Sequence, residues 1–285
     1  MRSDMTQQAE QAPPTPRART PKPSGGTRGR GAQSPYTLAY PLAFLALLLV
    51  AWFLVTLGGL VAPYILPSPV DTWKAFTDNA AYLWTHTLVT TMETVVGFVI
   101  AAVVGVLVAV FMVYSPTLER TFYPLILFAQ VIPKIAIAPL FVVWLGFGAS
   151  PKILVAVLMA FFPVVISGIS GLRSVDPELL ELTSTMGASR LKTFWKVRFP
   201  AALPELLSGL KIAATLAVTG AVVGEFVGAN SGLGYVILQA NGNIDTAMLF
   251  AALIIMSALG VLLFAIIHVA EMFLIPWHAS HRNRG

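Results

Sequence analysis

Long apolar stretches alternate with short polar ones along most of this chain, and the lengths of the apolar stretches set the first reading. A bilayer core about 30 Å thick is crossed by about 20 apolar residues in a helix. No charged residue falls between Thr37 and Leu66, and Pro67 and Pro69 close that stretch. Further apolar runs cover about Leu88–Tyr114, Phe122–Phe147, Ile153–Leu172, Leu206–Val227 and Ala247–Ile275. Six membrane-spanning helices are therefore expected, making an all-α integral membrane protein.

Small residues recur within these runs. Gly97, Ala101, Gly105 and Ala109 fall every fourth residue in the second run, as do Gly220, Gly224 and Gly228 at the end of the fifth. Ala213, Ala217 and Ala221 lie beside the latter set. That spacing places small side chains on one helix face and lets backbones approach closely, which matters where lipid removes the hydrophobic drive between helices. Pro133, Pro139 and Pro163 fall inside the third and fourth runs. Proline breaks the hydrogen-bond ladder, and in a membrane the freed carbonyls are tolerated where protein or water satisfies them. The third and fourth spans are thus the expected lining of a translocation path.

Composition agrees with this class. The chain of 285 residues is 56% hydrophobic and 11% charged, with a mean hydropathy of +0.78, whereas a soluble domain carries about 25% charged residues. It has no cysteine, which excludes disulfides and thiolate metal sites. Charge is concentrated: residues 1–36 hold six basic residues against Asp4 and Glu10 and are otherwise rich in Pro, Gly, Ser and Thr. Such a stretch cannot bury enough apolar surface to fold and reads as a disordered basic tail. Placing the N-terminus inside puts Arg120, Arg173, Arg190, Lys192, Lys196, Arg198, Arg282 and Arg284 in cytoplasmic segments and leaves Lys74 and Lys152 in outer loops. The positive-inside rule then makes both termini cytoplasmic. The domain reading is a tail over 1–36, a six-span body over 37–277 and a short tail over 278–285.

One segment inside that body is not apolar. Residues 176–200 are charged and amphipathic. Asp176-Pro177-Glu178 suits a helix start, with a capping carboxylate, a proline in the first turn and an acid at the positive end. Gly187 suits a left-handed helix end. A second short helix is expected over Ser189–Val197, and Pro200 and Pro204 mark the entry to the fifth span. Helix, glycine turn, helix and proline make a compact knob. An amphipathic loop resting on headgroups through Trp195 is the alternative reading of the residues alone.

Read as E-x5-G-x9-V-x-F-P, Glu181, Gly187, Val197, Phe199 and Pro200 resemble the "EAA" loop of binding-protein-dependent ABC permeases, E-A-A-x3-G-x9-I-x-L-P. Leu182 and Thr183 stand where that pattern has its two alanines. The stretches IPKIAIAPLFVVWLGFGASPKIL, FPVVISGISGLRSVDPELLELTSTMGAS and VGEFVGANSGLGYVI look like the nitrate/taurine/sulfonate branch of these permeases. The resemblance covers about Leu88–Trp277.

It implies a type I importer permease fold in which a cytoplasmic helix-turn-helix loop, here with Ala188, Ser189 and Arg190 at its tip, docks on a separate ATPase. The implied assembly has two ATPase subunits, a second permease copy, most simply as a homodimer, and an extracytoplasmic binding protein, in a bacterial inner membrane. No G-x4-G-K-[ST] phosphate loop occurs in the chain, so ATP and Mg would be used by the partner. No enzymatic motif, metal site or nucleic-acid partner is expected, and His278 and His281 read as solvated. An ion-coupled secondary carrier is the rival class. The branch suggests a small anion such as an alkanesulfonate, taurine or nitrate as cargo.

Ionisable residues within spans are costly and face the interior or their partners. Lys134, beside Pro133, reads as an anion contact or as a cation paired with an acid or a carbonyl. Glu225, among the small residues of the fifth span, reads as a structural or gating contact at the outer mouth. Lys211 and Glu271 lie near helix ends, His268 reads as structural, and Glu93 has no partner evident in the sequence.

Overall fold

The computed structural model describes residues 39–59 and 61–275. The expected tails at 1–36 and 278–285 lie outside these residues. All regular structure in the described part is helical. In order it comprises α1 (Ala39–Leu57), α2 (Pro69–Asp78), α3 (Ala80–Tyr114), α4 (Pro116–Val131), α5 (Lys134–Leu145) and α6 (Ala149–Arg173). There follow α7 (Pro177–Thr185), α8 (Arg190–Thr193), a π turn at Phe194–Arg198, α9 (Phe199–Phe226), α10 (Leu233–Gly242) and α11 (Thr246–Leu274).

The centre is made by α3, α6 and α9, with α6 and α9 the most extensive pair. Small residues decide this packing. A methyl group on Gly220 would come within 2.7 Å of the Ala156 Cα, and one on Gly97 within 2.6 Å of the Ala156 Cβ. Ala101, Ala160, Val164, Ala213 and Ala217 fill the seam between the three helices. The every-fourth-residue pattern thus marks the faces that touch. Gly228 departs from it. It lies beyond the end of α9 at φ +147° and packs against Phe147.

Among the described residues, five helices are long and apolar enough to cross a membrane, and α4 with α5 gives a sixth only as a pair bent by 96°. The single third span expected over 122–147 is therefore corrected to two helices broken at Ile132–Pro133. Proline supplies no N–H, and the residue before it is driven to extended backbone, as Ile132 is at ψ 129°. By contrast, Pro139 and Pro163 lie inside continuous α5 and α6.

Three other expectations change. The second span begins at Ala80, eight residues before Leu88, because the polar start of α3 is held by protein. The helix of the fifth span begins at Phe199, with Pro200 in its first turn, where a missing N–H is least costly, and Pro204 inside the helix. Two short helices, α2 and α10, were not expected. Ser68 caps α2 by accepting from the Asp71 N–H at 3.1 Å, and α10 is capped by side chains from other helices.

Candidate functional site

The charged segment folds as a closed knob between α6 and α9. Asp176 accepts from the Glu178 N–H at 3.0 Å and starts α7. At the other end Gly187 takes φ +69°. Its N–H donates to the Ser184 carbonyl, and that of Ala188 to the Thr183 carbonyl, each at 3.0 Å. This pair of bonds is the Schellman helix ending, and it requires the left-handed residue that only glycine supplies cheaply. Ser189 then caps α8 through the Lys192 N–H at 3.3 Å.

The second knob helix, expected as one piece over Ser189–Val197, is instead one α turn followed by a π turn that runs into α9. Val197, Phe199 and Pro200 are half-buried at the base. There Phe194 meets Tyr114 edge-on at 6.1 Å, Trp195 meets Phe199 at 5.2 Å, and the Arg198 guanidinium lies 5.4 Å from the Tyr114 ring. Glu181, Leu182, Ser189 and Arg190 are exposed, and Thr183 and Ala188 half-buried. Met186 (77% exposed) and Leu191 (68%) make the tip partly apolar. The knob thus has a base packed by aromatic rings beneath an exposed, partly apolar tip.

The other end of α6 carries a buried polar cluster. There Lys152 Nζ lies 2.6 Å from Glu93 Oε1, with both residues almost wholly buried. Lys152 is thus a helix residue inside the bundle, which corrects its placement in an outer loop. Pro151, one residue earlier, sits in the first turn of α6, and its preference for that position is the signal that could have located Lys152. The spacing of His86, Thr90, Glu93 and Thr94 also marks one buried polar face of α3.

Glu225, fully buried, accepts from the Thr90 hydroxyl at 2.6 Å and from the Gly234 N–H. Thr90 Oγ1 accepts from the Leu233 N–H at 2.8 Å, and His86 Nδ1 from the Gly232 N–H at 2.9 Å. Three amides at the start of α10 are therefore satisfied by α3 and α9, an arrangement no local pattern in the sequence encodes.

The remaining path candidates are dispersed. Pro133 and Pro139 are exposed, and Pro163 is half-buried in α6. Lys134 Nζ donates to the Gln130 carbonyl at 3.0 Å and lies 4.7 Å from the Phe162 ring centre. The carbonyl contact is one of the two partners expected for it. Near the knob end of the bundle, Glu271 pairs with Lys211, and with His268 at 3.2 Å.

Residues 101–272 match the family model described as the binding-protein-dependent transport system inner membrane component. The chain belongs to this family. It is 38% identical over 243 residues to the formylaminopyrimidine transport permease protein ThiX of Halalkalibacterium halodurans, covering 85% of this chain and 97% of that protein. It is 38% identical over 241 residues to the riboflavin transport system permease protein RibX of Chloroflexus aurantiacus, covering 83% and 89%. With the taurine transport system permease protein TauC of Escherichia coli it shares 31% over 243 residues, covering 83% and 88%. Its fold is that of a chain in inward-facing structures of the MetNI methionine ABC transporter, with a TM-score of 0.59 over 68% of this chain and 96% of that one at 23% identity. The chain is thus a permease subunit of an ABC importer, and its relatives are named for several different cargoes.

Proposed function

We propose that this permease subunit forms half of a translocation pathway and is driven through the Glu181–Pro200 knob by a separate ATPase. The observation that carries the reading is the knob itself: a capped helix, a left-handed glycine and a proline-started span, rigid at the base and exposed at the tip. The working assembly is two copies of this chain, two ATPase subunits that use ATP and Mg, and a binding protein that delivers cargo at the far side.

The knob and both termini face the cytoplasm, as the positive-inside rule requires. ATP favours the closed pair of ATPases, and that differential affinity is what shifts the bundle between its states. The bend between α4 and α5, with Pro133 and Lys134 at its corner, lies beside the pathway, where broken backbone is tolerated. Pro139 and Pro163 belong to the same wall. The cargo is a small polar organic solute. The range of relatives, from a pyrimidine and a flavin to taurine, widens the class beyond a simple anion such as nitrate.

The test is mild-detergent purification of the tagged chain, followed by mass spectrometry and an ATP hydrolysis assay, beside Gly187→Pro. An ABC ATPase should accompany the wild type and be lost from the variant. A folded wild type that transports on an ion gradient without an ATPase would establish a secondary carrier instead.

A further inference from the structure

At the end of the bundle opposite the knob, two buried carboxyls meet. Glu93 on α3 is in side-chain hydrogen-bond contact with Glu225 on α9, and both are almost wholly shielded from solvent. Lys152 Nζ engages Glu93 Oε1 at 2.6 Å, and among the described residues it is the one cation within salt-bridge distance of either carboxyl. His86 brings no charge, because its Nδ1 accepts from the Gly232 N–H and the ring is therefore the neutral tautomer. Tyr82 and Tyr235, which pack on His86, bring phenols. The other charged side chains of the packed helices lie elsewhere. Lys134 of α5 is held at the Gln130 carbonyl, and Arg173 of α6 pairs with Glu119. Glu205 of α9 lies beside Gly171, and Lys211 of α9 is grouped with His268 and Glu271 of α11.

One cation thus faces two acids inside the bundle. Two ionised carboxylates in contact repel strongly in a low dielectric, and the second has no counter-charge. The hydrogen bonds give the same count. Glu225 accepts from the Thr90 hydroxyl and the Gly234 N–H, whereas Glu93 Oε2 is buried and receives neither an N–H nor a hydroxyl among the described residues.

We propose that Glu225 holds a proton and donates its O–H to Glu93 Oε2, making the pair a buried proton-binding site that latches α3, α6, α9 and α10 together. Lys152 keeps the negative charge on Glu93, and the proton stays on the acid that has no cation. The backbone is shaped around that group, since a methyl group on Gly232 would collide with the Glu225 carboxyl. Loss of the proton sets a second negative charge against the first. The carboxyls then part, releasing the Gly234 amide and the Thr90 hydroxyl that fasten the start of α10. The latch opens as pH rises, because the closed form binds one proton more than the open form. The site lies at the far end from the knob, and neither the latch nor the ATPase reading requires the other.

Infrared spectroscopy of the purified chain in a maltoside detergent, which has no carbonyl of its own, reads the proton directly. A protonated-carboxyl stretching band should be present at neutral pH, where solvated carboxyls are ionised. It should shift in heavy water and fade at alkaline pH. Glu225→Gln keeps a donor for Glu93 Oε2 without a titrating proton and should abolish the band. Glu93→Gln leaves one acid to one cation, so the band should vanish there too, although Glu225 is untouched. Amide exchange over Gly232–Val236, corrected for its intrinsic rate, reports opening. In the wild type it should quicken by up to about tenfold per pH unit across neutral pH, the limit for one linked proton. In Glu225→Gln that dependence should be flat. Folding of each variant is read from its size-exclusion profile, and the wild-type spectrum decides the matter even where a variant fails to fold.

No band in the wild type at neutral pH, a band that survives in either folded variant, or the same pH slope in wild type and Glu225→Gln would overturn the inference.

Discussion

The buried side chains are where single substitutions should act most strongly. Lys152→Met leaves the Glu93 carboxylate charged and alone inside the bundle. A buried pair broken from one side costs about 3–5 kcal/mol. The expected result is a large drop in the thermal unfolding midpoint in detergent, with Lys152→Met/Glu93→Leu recovering most of it. Equal loss in single and double variants would mean that the pair does not hold the helices together. Glu225→Ala removes the acceptor for the Thr90 hydroxyl and the Gly234 amide, each worth about 1–3 kcal/mol when left unsatisfied. Amide exchange over Gly232–Val236 should quicken, and less so in Glu225→Gln, which keeps one acceptor. These partnerships were illegible beforehand. Sequence spacing reports neighbours on one helix, whereas Glu93 and Lys152 are 59 positions apart and Thr90 and Glu225 are 135 apart.

At the scale of elements, small residues and glycine geometry carry the account. Gly220→Leu drives a side chain into the Ala156 backbone at the seam between α6 and α9. Overpacking of this kind costs about 1–3 kcal/mol or more, so the folded yield should fall. Leucine at Gly260, which has open space around it, should be tolerated.

Gly187→Val is a different case. Nothing lies within 4 Å of that position, so the whole penalty is the left-handed backbone, of roughly 1–2 kcal/mol. The bundle should keep its midpoint while ATPase coupling weakens, as hydrolysis assays on the assembled complex would show.

Periodicity revealed α3, α6, α9 and α11 because each is long and apolar, and the helix-stop and cap signals at Asp176 and Gly187 gave the knob. It missed the break at Pro133, since α4 and α5 are both apolar and hydropathy does not register a bend. It missed α10 because short helices capped from other elements leave no local signature.

For the molecule as a whole, the knob and the buried Glu93–Lys152 cluster lie at opposite ends of the bundle, joined through α6. The family, the fold and the knob were legible in the sequence, because length, charge bias and the glycine–proline spacing each encode them locally. The buried polar cluster at the other end was not, because it is assembled from three separate helices and a loop.

The absence of native cysteine makes the decisive measurement direct. A single cysteine at Ser189 would carry a photo-activated cross-linker in intact membranes, with Ser231→Cys as its counterpart at the opposite end. The account predicts a Ser189 adduct with an ABC ATPase, formed from the cytoplasmic side and absent from Ser231. A Ser189 probe that reacts only with lipid, or only from outside, would contradict it.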